Sequence, residues 1–466
     1  MNIEKISATE KDFYKKYLSF YKRSDLFALF VEKALTHLSK NNGIVGFILP
    51  SIILNNLSYQ PLRDLLLNNH WVSEICYVGG SVFHSATVDT SVLIFDKKQN
   101  PEITLSNAVD FYQPKTYKVP NDYFKQFRNI INIGEENSNI IIDKLFLNDF
   151  VSVDDCFTVF QGIVTGNNDA FIFENEDDAI QKGIETELLH SLCYGRDIGK
   201  WEVKSSERKI LYLDKNVDIT NYNGANNWLI PKKEILSQRR ECLKGVISWY
   251  SLQWARVKSE LDIKEKILIQ NTRNESLKTR IVATIDKQGV YATQGINFVI
   301  PKTTDYSIYF LLSLLNSNLV NYLFSKKFLN LAIKAEYIKQ IKFPKLSLNE
   351  QQPFIELADK MLLLNAKFND KKYSFINYLK QCFDNVKIKG KLNTFWILDF
   401  DSIVDELKKQ KVKLPSELHK LKEHFTQCKD DCIALQDQIT ATDNEINQLV
   451  YQLYGLTAEE IAIIEK

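Results

Sequence analysis

The chain has 466 residues, of which 45% are hydrophobic and 25% are charged, and its formal net charge is +1. This composition is ordinary for a soluble globular protein, and the length predicts two to four domains. The seven cysteines are scattered without a CxxC pair, which excludes a zinc cluster or a disulfide framework and predicts reduced thiols.

The start of the chain and its most apolar segment argue against secretion and membrane insertion. Met1 leads into the polar residues 2–5, which do not form a signal peptide. Residues 306–324 are the most apolar segment, but they include Asn316, Asn318 and Asn321, so we reject a membrane span. The sequence therefore predicts a cytoplasmic protein with no membrane partner and no bound metal.

Charge is distributed unevenly along the chain. The net charge is 0 for residues 1–150, −8 for residues 151–195, +12 for residues 196–345 and −3 for residues 346–466. A +12 block in a nearly neutral chain predicts a surface that binds phosphate groups. A solvated surface crossed by salt bridges is the alternative explanation of the same charges.

Helix and strand patterns alternate in the first hundred residues. Apolar residues at three- and four-residue spacing indicate helices over 25–39 and 51–68. The continuous apolar run 44–49 is typical of a strand buried on both faces, and 72–78 and 87–95 are further predicted strands. This order predicts an α/β fold that corresponds to the distal half of a doubly wound sheet. No Gly-rich phosphate or nucleoside loop precedes it, so the first half is not in this sequence.

The stretch QGIVTGNNDAFI, residues 161–172, predicts the opening of a second domain. Gly166, Asn167 and Asn168 tolerate positive φ and indicate a turn that enters a new sheet. Residues 96–150, before this stretch, are irregular, and we interpret them as a connector. The residues after it form an irregular domain that is rich in basic and aromatic side chains.

Two segments of the basic block combine cationic and aromatic residues. In residues 194–201, Arg196 and Lys200 can bind phosphate, Arg196 can also bind guanine, and Trp201 offers a stacking face. A surface turn with Trp201 in the core is the alternative. Residues 231–258 have a helical pattern in which basic and aromatic side chains alternate, as suits phosphate contact and base stacking. The predicted phosphate contacts there are Lys232, Lys233, Arg239 and Arg240.

Two loops that follow predicted strands carry candidates for reading DNA bases. Base-specific contacts require Arg, Asn, Gln, Lys, Ser or Thr at the edge of a groove. Thr272 and Arg273 follow the strand predicted at 267–270, and Gln294 lies in the loop ATQGIN. We predict that these three residues select the DNA sequence, and ordinary solvated loops are the alternative.

Several motifs resemble a known family. Residues 25–56, DLFALFVEKALTHLSKNNGIVGFILPSIILNN, and residues 81–97, SVFHSATVDTSVLIFDK, resemble γ-class adenine-specific DNA methyltransferases after the catalytic NPPY motif. The resemblance is closest to type IIG restriction–modification enzymes and the TaqI methyltransferase, and it continues through a TaqI-like target-recognition domain. It implies S-adenosylmethionine as cofactor and double-stranded DNA as partner. It also implies that Phe30 packs on the cofactor's adenine ring and that Phe83 lines the flipped-base pocket. Ordinary core packing is the alternative role of both.

The sequence departs from this family at the catalytic centre. It contains no NPPY or related tetrapeptide and no Gly-containing cofactor loop. The family uses the Asn and Pro of NPPY to bind the target amino group and the Tyr to stack on the flipped adenine. We therefore assign no catalytic residue, expect the chain alone to be inactive, and predict an upstream methyltransferase fragment or subunit as partner.

We divide the chain into three predicted parts. Residues 1–105 are the distal half of a Rossmann-like methyltransferase domain, and 106–345 are the connector and a mixed α/β target-recognition domain. Residues 346–466 are helical, with a short coiled-coil-like seam that includes Cys428 and Cys432.

An alternative function is that of a non-catalytic specificity subunit. The succession LLNS, IKFP and EQQ between residues 314 and 352 also resembles the half-repeats of type I restriction specificity subunits. A second recognition repeat is expected in that class, and none is visible in the sequence. The predicted half-sheet of residues 25–95 has no place there either.

Overall fold

The computed structural model describes residues 6–21, 24–80, 89–110, 112–127, 129–131, 133, 141–142, 144–145, 150–204, 206–273, 277, 279–328, 332–383, 385–412 and 418–465. The chain forms two compact units. Unit 1 comprises Met1–Asn148 and Lys326–Phe328, and unit 2 comprises Asp149–Ser325 and Leu329–Lys466. Phe83 lies outside the described residues, so its predicted role has no structural counterpart here.

A five-stranded mixed sheet forms the centre of unit 1. Its strands are β1 (Ile44–Pro50), β2 (Val72–Gly79), β3 (Thr90–Asp96), β4 (Glu102–Asn107) and β5 (Lys115–Pro120). The order is β1-β3-β2-β4-β5, and among these pairs only β2 and β4 are parallel. The strands predicted at 44–49 and 72–78 are confirmed. Residues 96–150, predicted to be an irregular connector, instead contribute β4 and β5 to this sheet.

Short helices accompany this sheet. They are α1 (Ala8–Tyr14), α2 (Phe27–Lys33) with a π-helical continuation (Ala34–Leu38), α3 (Ile52–Asn55) and α4 (Gln60–Asn68). The single helix predicted over 51–68 is therefore wrong. The chain becomes extended at Asn56, and the buried Arg63 guanidinium donates to the carbonyls of Ile53, Asn56 and Asn129. The bonds to Ile53 and Asn56 satisfy carbonyl groups that a continuous helix would have paired internally.

Strand β1 lies at an edge of the sheet, and the exposure of its side chains contradicts the prediction of a strand buried on both faces. It pairs with β3 on one side and has no partner on the other side among the described residues. Ile44 is 69% exposed and Ile48 is 47% exposed, whereas Leu49 is buried. An apolar run alone does not indicate what covers a strand, so the predicted burial of both faces was wrong.

Unit 2 begins with short strands that form two four-stranded sheets and two ribbons. The first sheet has the order β14-β13-β16-β7, the second has the order β15-β9-β12-β8, and the ribbons are β10-β11 and β17-β6. The strands are β6 (Val151–Ser152), β7 (Phe157–Gln161), β8 (Ile172–Phe173), β9 (Leu189–Cys193), β10 (Ile198–Gly199), β11 (Glu202–Val203), β12 (Lys209–Leu211), β13 (Lys266–Gln270), β14 (Ala283–Asp286), β15 (Tyr291–Ala292), β16 (Ile296–Pro301) and β17 (Lys342–Phe343).

Short helices connect these strands, and one apolar core joins the two four-stranded sheets. That core includes Phe171, Phe173, Leu268, Tyr291 and Phe298. The helices are α5 (Val153–Cys156), α6 (Asn168–Phe171), α7 (Glu176–Gln181), α8 (Asn223–Leu229), α9 (Lys233–Ser237), α10 (Arg240–Leu243), α11 (Lys258–Leu261), α12 (Ile308–Asn316), α13 (Asn318–Lys327) and α14 (Ala335–Ile338).

Helices α12 and α13 contain the most apolar part of the chain. In the described part of the chain no single helix is both long and apolar enough to cross a bilayer. Taken together, α12 and α13 reach that length and hydropathy, but they are bent by 62° at Ser317. Most of α12 is buried within the protein.

The last part of unit 2 is helical, as predicted. It contains α15 (Leu348–Cys382), α16 (Phe400–Lys409), α17 (Leu418–Leu453) and α18 (Ala458–Glu465). A separate core lies here between α15 and α17, and the predicted seam residues Phe425, Cys428 and Cys432 are buried in it. Burial raises the pKa of the Cys432 thiol to about 11. No group of three or more metal-ligating side chains occurs among the described residues.

A candidate nucleic-acid interface

The loop of residues 162–168 is packed too closely to accept other residues at its two glycines. A Cβ atom on Gly162 would lie 2.2 Å from the carbonyl oxygen of Thr293. Gly166 has a φ of +76°, and a Cβ there would lie 2.7 Å from Arg239 Cδ. The positive φ predicted for this turn is confirmed at Gly166. Asn167 and Asn168 have another role than predicted, because Asn167 has a φ of −161° and caps helix α6, which begins at Asn168.

Arg239 holds this loop from beneath. Its side chain is 8% exposed, and the guanidinium donates to the carbonyl oxygens of Leu236, Thr165 and Trp249 at 2.6–3.0 Å. Burial lowers the pKa of Arg239 from its ordinary value. The predicted phosphate contact by Arg239 is therefore corrected, because its N–H groups face carbonyl groups of the protein and not solvent.

Three loops meet around the backbone of Gln294. Its carbonyl oxygen accepts hydrogen bonds from Gln161 Nε2 at 2.9 Å and from Asn271 Nδ2 at 3.0 Å. The Asn271 amide N–H also donates to the Gly295 carbonyl. The side chains of Gln294 and Thr272 are exposed at this junction. The structure thus brings together two loops that are over 20 residues apart in sequence and that were both predicted to read bases.

The segment that carries Arg196 joins the same junction through Gln270. Gln270 Nε2 donates to the carbonyl oxygens of Gly195 and Ile198, and Gln270 Oε1 accepts from Arg273 Nη1 at 2.9 Å. Arg196 is exposed, with its guanidinium carbon 5.3 Å from the centre of the Tyr194 ring. One glutamine side chain therefore connects the Arg196 element to Arg273.

Arg273 is only partly available for contact with a ligand. Its Nε donates to the Thr279 carbonyl oxygen at 2.9 Å, in addition to the bond from Nη1 to Gln270. Partial burial lowers the pKa of Arg273 from its ordinary value. These two bonds fix the orientation of the guanidinium through Nε and Nη1.

A pocket of about 310 Å³ lies between the 162–168 loop and the Gln294 loop. It is lined mainly by polar groups and backbone. The lining residues are Ile163, Val164, Thr165, Gly166, Asn167, Asn168, Thr293 and Gln294.

The basic residues of the 231–258 segment are mostly on the surface. Lys233 and Arg240 are exposed. Lys232 is half-buried, and its Nζ lies 3.3 Å from the centre of the Trp228 ring and donates to the Trp228 carbonyl oxygen. Burial lowers the pKa of Lys232. Trp228 lies on helix α8, and its Nε1 donates a hydrogen bond to the carbonyl oxygen of Ala170 on helix α6. The segment that carries Lys232 is therefore bonded to the region just after the 162–168 loop.

Two further predicted contacts have other partners in the structure. Trp201 is 3% exposed, so its ring offers no face on which a base could stack. The alternative prediction, Trp201 as a core residue, is confirmed. Its backbone has a φ of +66°. Lys200 Nζ lies 2.7 Å from Asp443 Oδ1 of α17, with both side chains about three-quarters buried. In unit 1, the predicted cofactor contact Phe30 is 64% exposed on α2.

An aromatic and titratable cluster lies beneath the Gln294 loop. The His190 ring stacks on Tyr291 at a centroid distance of 4.2 Å, and Tyr291 donates a hydrogen bond to Asp262. Burial, and then the nearby Lys258 ammonium, lowers the pKa of His190 to about 4. His190 is thus neutral at pH 7 and acts as a packing residue.

The residues that assemble this junction were not identified from the sequence. The side-chain amides of Gln161, Gln270 and Asn271 donate to carbonyl oxygens that are distant in the chain. No local sequence pattern indicates such hydrogen bonds. Arg256, which donates to the Gly162 carbonyl oxygen, lies in the 231–258 segment, whose basic residues were predicted to suit phosphate contact. Asn168, which lines the neighbouring pocket, belongs to the GNN stretch that the sequence had indicated.

Three family models match separate parts of the chain. Residues 1–83 match the Eco57I restriction-modification methylase, and residues 190–346 match the TaqI-like C-terminal specificity domain. Residues 347–450 match a Domain of unknown function (DUF8810). The first two matches confirm the resemblance to restriction–modification methyltransferases that the motifs indicated.

The curated relatives are type II restriction–modification proteins. The chain is 23% identical over 365 residues to the type II restriction enzyme and methyltransferase RM.Eco57I of Escherichia coli, covering 68% of this chain and 36% of that protein. It is also 23% identical over 388 residues to a putative type II restriction enzyme and methyltransferase, RM.MjaORFECS2P, of Methanocaldococcus jannaschii, covering 78% and 28%. The chain thus spans about a third of the length of these relatives.

One solved structure has a similar fold over nearly the whole chain. It is the type IIL restriction-modification enzyme MmeI in complex with DNA, with a TM-score of 0.54 and 13% identity. The similarity covers 96% of this chain and 56% of that one. It supports the mixed α/β architecture, with a helical region after the sheets.

Proposed function

From the methylase match over residues 1–83 and the TaqI-like specificity match over residues 190–346, we propose that this chain recognises DNA sequence for an adenine-specific methyltransferase of a restriction–modification system. The observation that supports this proposal most is the junction around Gln294. It places Arg196, Thr272, Arg273 and Gln294 on loops that are bonded to one another. Their chemistry suits base edges, and the surrounding segments supply cations.

In this proposal the side chains that face DNA have two roles. Gln294, Arg273, Thr272 and Arg196 contact base edges, because amide and guanidinium groups match the major-groove patterns of adenine and guanine. Lys232, Lys233 and Arg240 contact phosphates and set affinity more than sequence choice. The net charge of +12 over residues 196–345 is consistent with this division.

S-adenosylmethionine is the proposed cofactor of the assembled enzyme, and it would supply the methyl group. Phe30 fits its part of the site, since a ring that is 64% exposed on α2 is available to stack on the adenine moiety. Phe83 keeps its proposed place beside the flipped base. The Gly-rich loop and NPPY are not in this sequence, so these two residues can bind and orient but cannot transfer a methyl group.

Strand β1 supports the proposal of an upstream partner. Its outer edge is unpaired among the described residues, and Ile44, Ile48 and the neighbouring Ile52 are exposed. An unpaired apolar edge is a template for another strand. We propose that a methyltransferase segment ending in NPPY adds its strands there and completes a Rossmann-like sheet.

Transfer of label from tritiated S-adenosylmethionine to DNA tests this function. The purified chain should give only background transfer, and addition of a segment that ends in NPPY should restore transfer to adenine. Ile48→Lys should prevent the restoration without preventing DNA binding, because it places a charge at the pairing edge. Transfer by the chain alone would contradict the proposal.

A non-catalytic specificity subunit is the alternative function. The LLNS, IKFP and EQQ succession lies on α12, β17 and α15 and favours it. The methylase match over residues 1–83 favours the first proposal. Reconstitution distinguishes the two, since a specificity subunit would require a complete, separate methyltransferase and not an N-terminal segment.

A further inference from the structure

The pocket beside Gly166 has a donor group whose orientation is fixed. Asn168 lines this pocket and is exposed, and its Oδ1 accepts a hydrogen bond from the buried Thr165 hydroxyl at 2.7 Å. Because the amide oxygen faces the protein, the Asn168 NH₂ group is the part left to contact a ligand. Because an NH₂ group only donates hydrogen bonds, the ligand must present a hydrogen-bond acceptor to it.

Two guanidinium groups lie behind the same loop. Arg239 Nη1 donates to the Thr165 carbonyl oxygen, and Arg256 Nε donates to the Gly162 carbonyl oxygen, both at 3.0 Å. Neither guanidinium lies within 4 Å of a carboxylate in the described part of the chain. Arg239 is 8% exposed and Arg256 is partly buried. The Glu241 carboxylate favours the charged form of Arg239 without forming an ion pair with it. Positive charge behind the loop that has no ion-pair partner favours an anion on the outer side of the loop. The exposed Asp169 favours the charged form of Lys232.

We propose that this pocket binds one phosphodiester group of the DNA backbone. The Asn168 NH₂ donates to a phosphate oxygen, and Arg239 and Arg256 supply the positive potential through the loop. The adjacent Gln294 then reads a base from a fixed distance, because phosphate contacts position a protein and base contacts specify the sequence. This inference rests on the proposed function and adds the anchor that sets the register of the reading loops.

Substitution of Asn168 in the full chain tests the anchor by duplex binding. Asn168→Asp keeps the acceptor for Thr165 but replaces the donor with a negative charge, so affinity should fall at least tenfold on the selected site and on a scrambled duplex alike. Asn168→Ala should lose about three- to tenfold on both, in the range of a typical single hydrogen bond. Asn221→Asp, an exposed asparagine outside the pocket, is the control for added charge.

Replacing single phosphates by neutral methylphosphonates locates the contact. Replacement at one phosphate position of the selected duplex should weaken binding by the wild-type protein. The same replacement should not weaken binding by Asn168→Ala any further. Inorganic phosphate at constant ionic strength should not compete at millimolar concentration if the ligand is a phosphodiester held in DNA, and competition would indicate a free-phosphate site. A loss on the selected site alone would make Asn168 a base reader, and unchanged binding would overturn the anchor. Failure to select any sequence would instead contradict the proposed function.

Discussion

The ammonium group of Lys200 lies 2.7 Å from the Asp443 carboxylate, which joins the Arg196-bearing element to the long helix α17. The pair is about three-quarters buried, so it is less screened by solvent than a surface pair. The helical region is thereby connected to the recognition element two residues beyond Ile198. Lys200 therefore holds the recognition element in place and is less available to phosphate than its sequence context indicated.

Removing this ion pair should affect stability more than DNA affinity. We expect Asp443→Asn to lower the free energy of unfolding by roughly 1 kcal/mol. Lys200→Met should have a similar effect, and neither should change the dependence of DNA affinity on salt. Urea unfolding and a salt titration of duplex binding measure the two quantities. If the dependence of DNA affinity on salt were weaker for Lys200→Met but not for Asp443→Asn, Lys200 would be a phosphate contact.

The exposed cations of α9 and α10 should determine non-specific affinity. Lys233→Glu combined with Arg240→Glu should weaken binding to every duplex and reduce the slope of log affinity against log salt by about 2, at roughly 0.9 per phosphate contact. Lys408→Glu, on α16, is a matched control on an exposed helix. An unchanged slope would mean that these cations form a solvated surface.

Arg239 should behave as a structural residue. Arg239→Gln removes the hydrogen bond to the Trp249 carbonyl oxygen and one of the two to the Thr165 carbonyl oxygen, which keeps the Gln253 N–H at 3.3 Å. Each lost bond should cost roughly 0.5–1.5 kcal/mol. We expect the thermal midpoint to fall and the 162–168 loop to become accessible to protease. Native stability and an unchanged protease pattern would contradict this structural role.

The buried pair of Lys266 and Asp286 is expected to be essential for unit 2. Their charged atoms are 3.0 Å apart with at most 1% exposure, and Lys266 also donates to the carbonyl oxygens of Leu261 and Ile263. Lys266→Met leaves a buried carboxylate unpaired and should cost about 3–5 kcal/mol of unfolding free energy. Unfolding in urea checks this, and a loss below 1 kcal/mol would show that water reaches Asp286.

Acid should destabilise the protein through His190. Its pKa is lowered to about 4 in the folded state, so the folded protein favours the neutral ring. The stabilisation is therefore complete above the ordinary value of about 6.5 and is lost as pH falls from there towards 4, by on the order of 1–3 kcal/mol. His190→Phe should flatten the stability profile in this range, and an unaltered profile would mean that His190 does not cause the loss.

Local patterns predicted the elements but not their partners. The β1 and β2 runs and the α17 seam follow from hydrophobic periodicity, and the Gly166 turn follows from residue type. The exposed edge of β1 depends on which strands are its neighbours, and periodicity does not contain that information.

The candidate site shows the same division. Gln294 and Thr272 were identified because their residue types suit base contact, and both are exposed in the structure. Arg239 and Trp201 have equally suitable chemistry, yet both are buried. Their partners are separated from them by up to 82 residues, as Trp201 N is from the Ala283 carbonyl oxygen, so only the folded chain distinguishes these roles.

Selection of bound duplexes from a random pool tests sequence-specific recognition most directly. The full chain, alone or with the segment that ends in NPPY, should enrich one sequence. Gln294→Ala should reduce affinity for that sequence by about ten- to a hundredfold, as expected for loss of a base contact worth roughly 1–3 kcal/mol, while binding to scrambled DNA falls far less. No enriched sequence from a folded, reconstituted complex would contradict the proposed function.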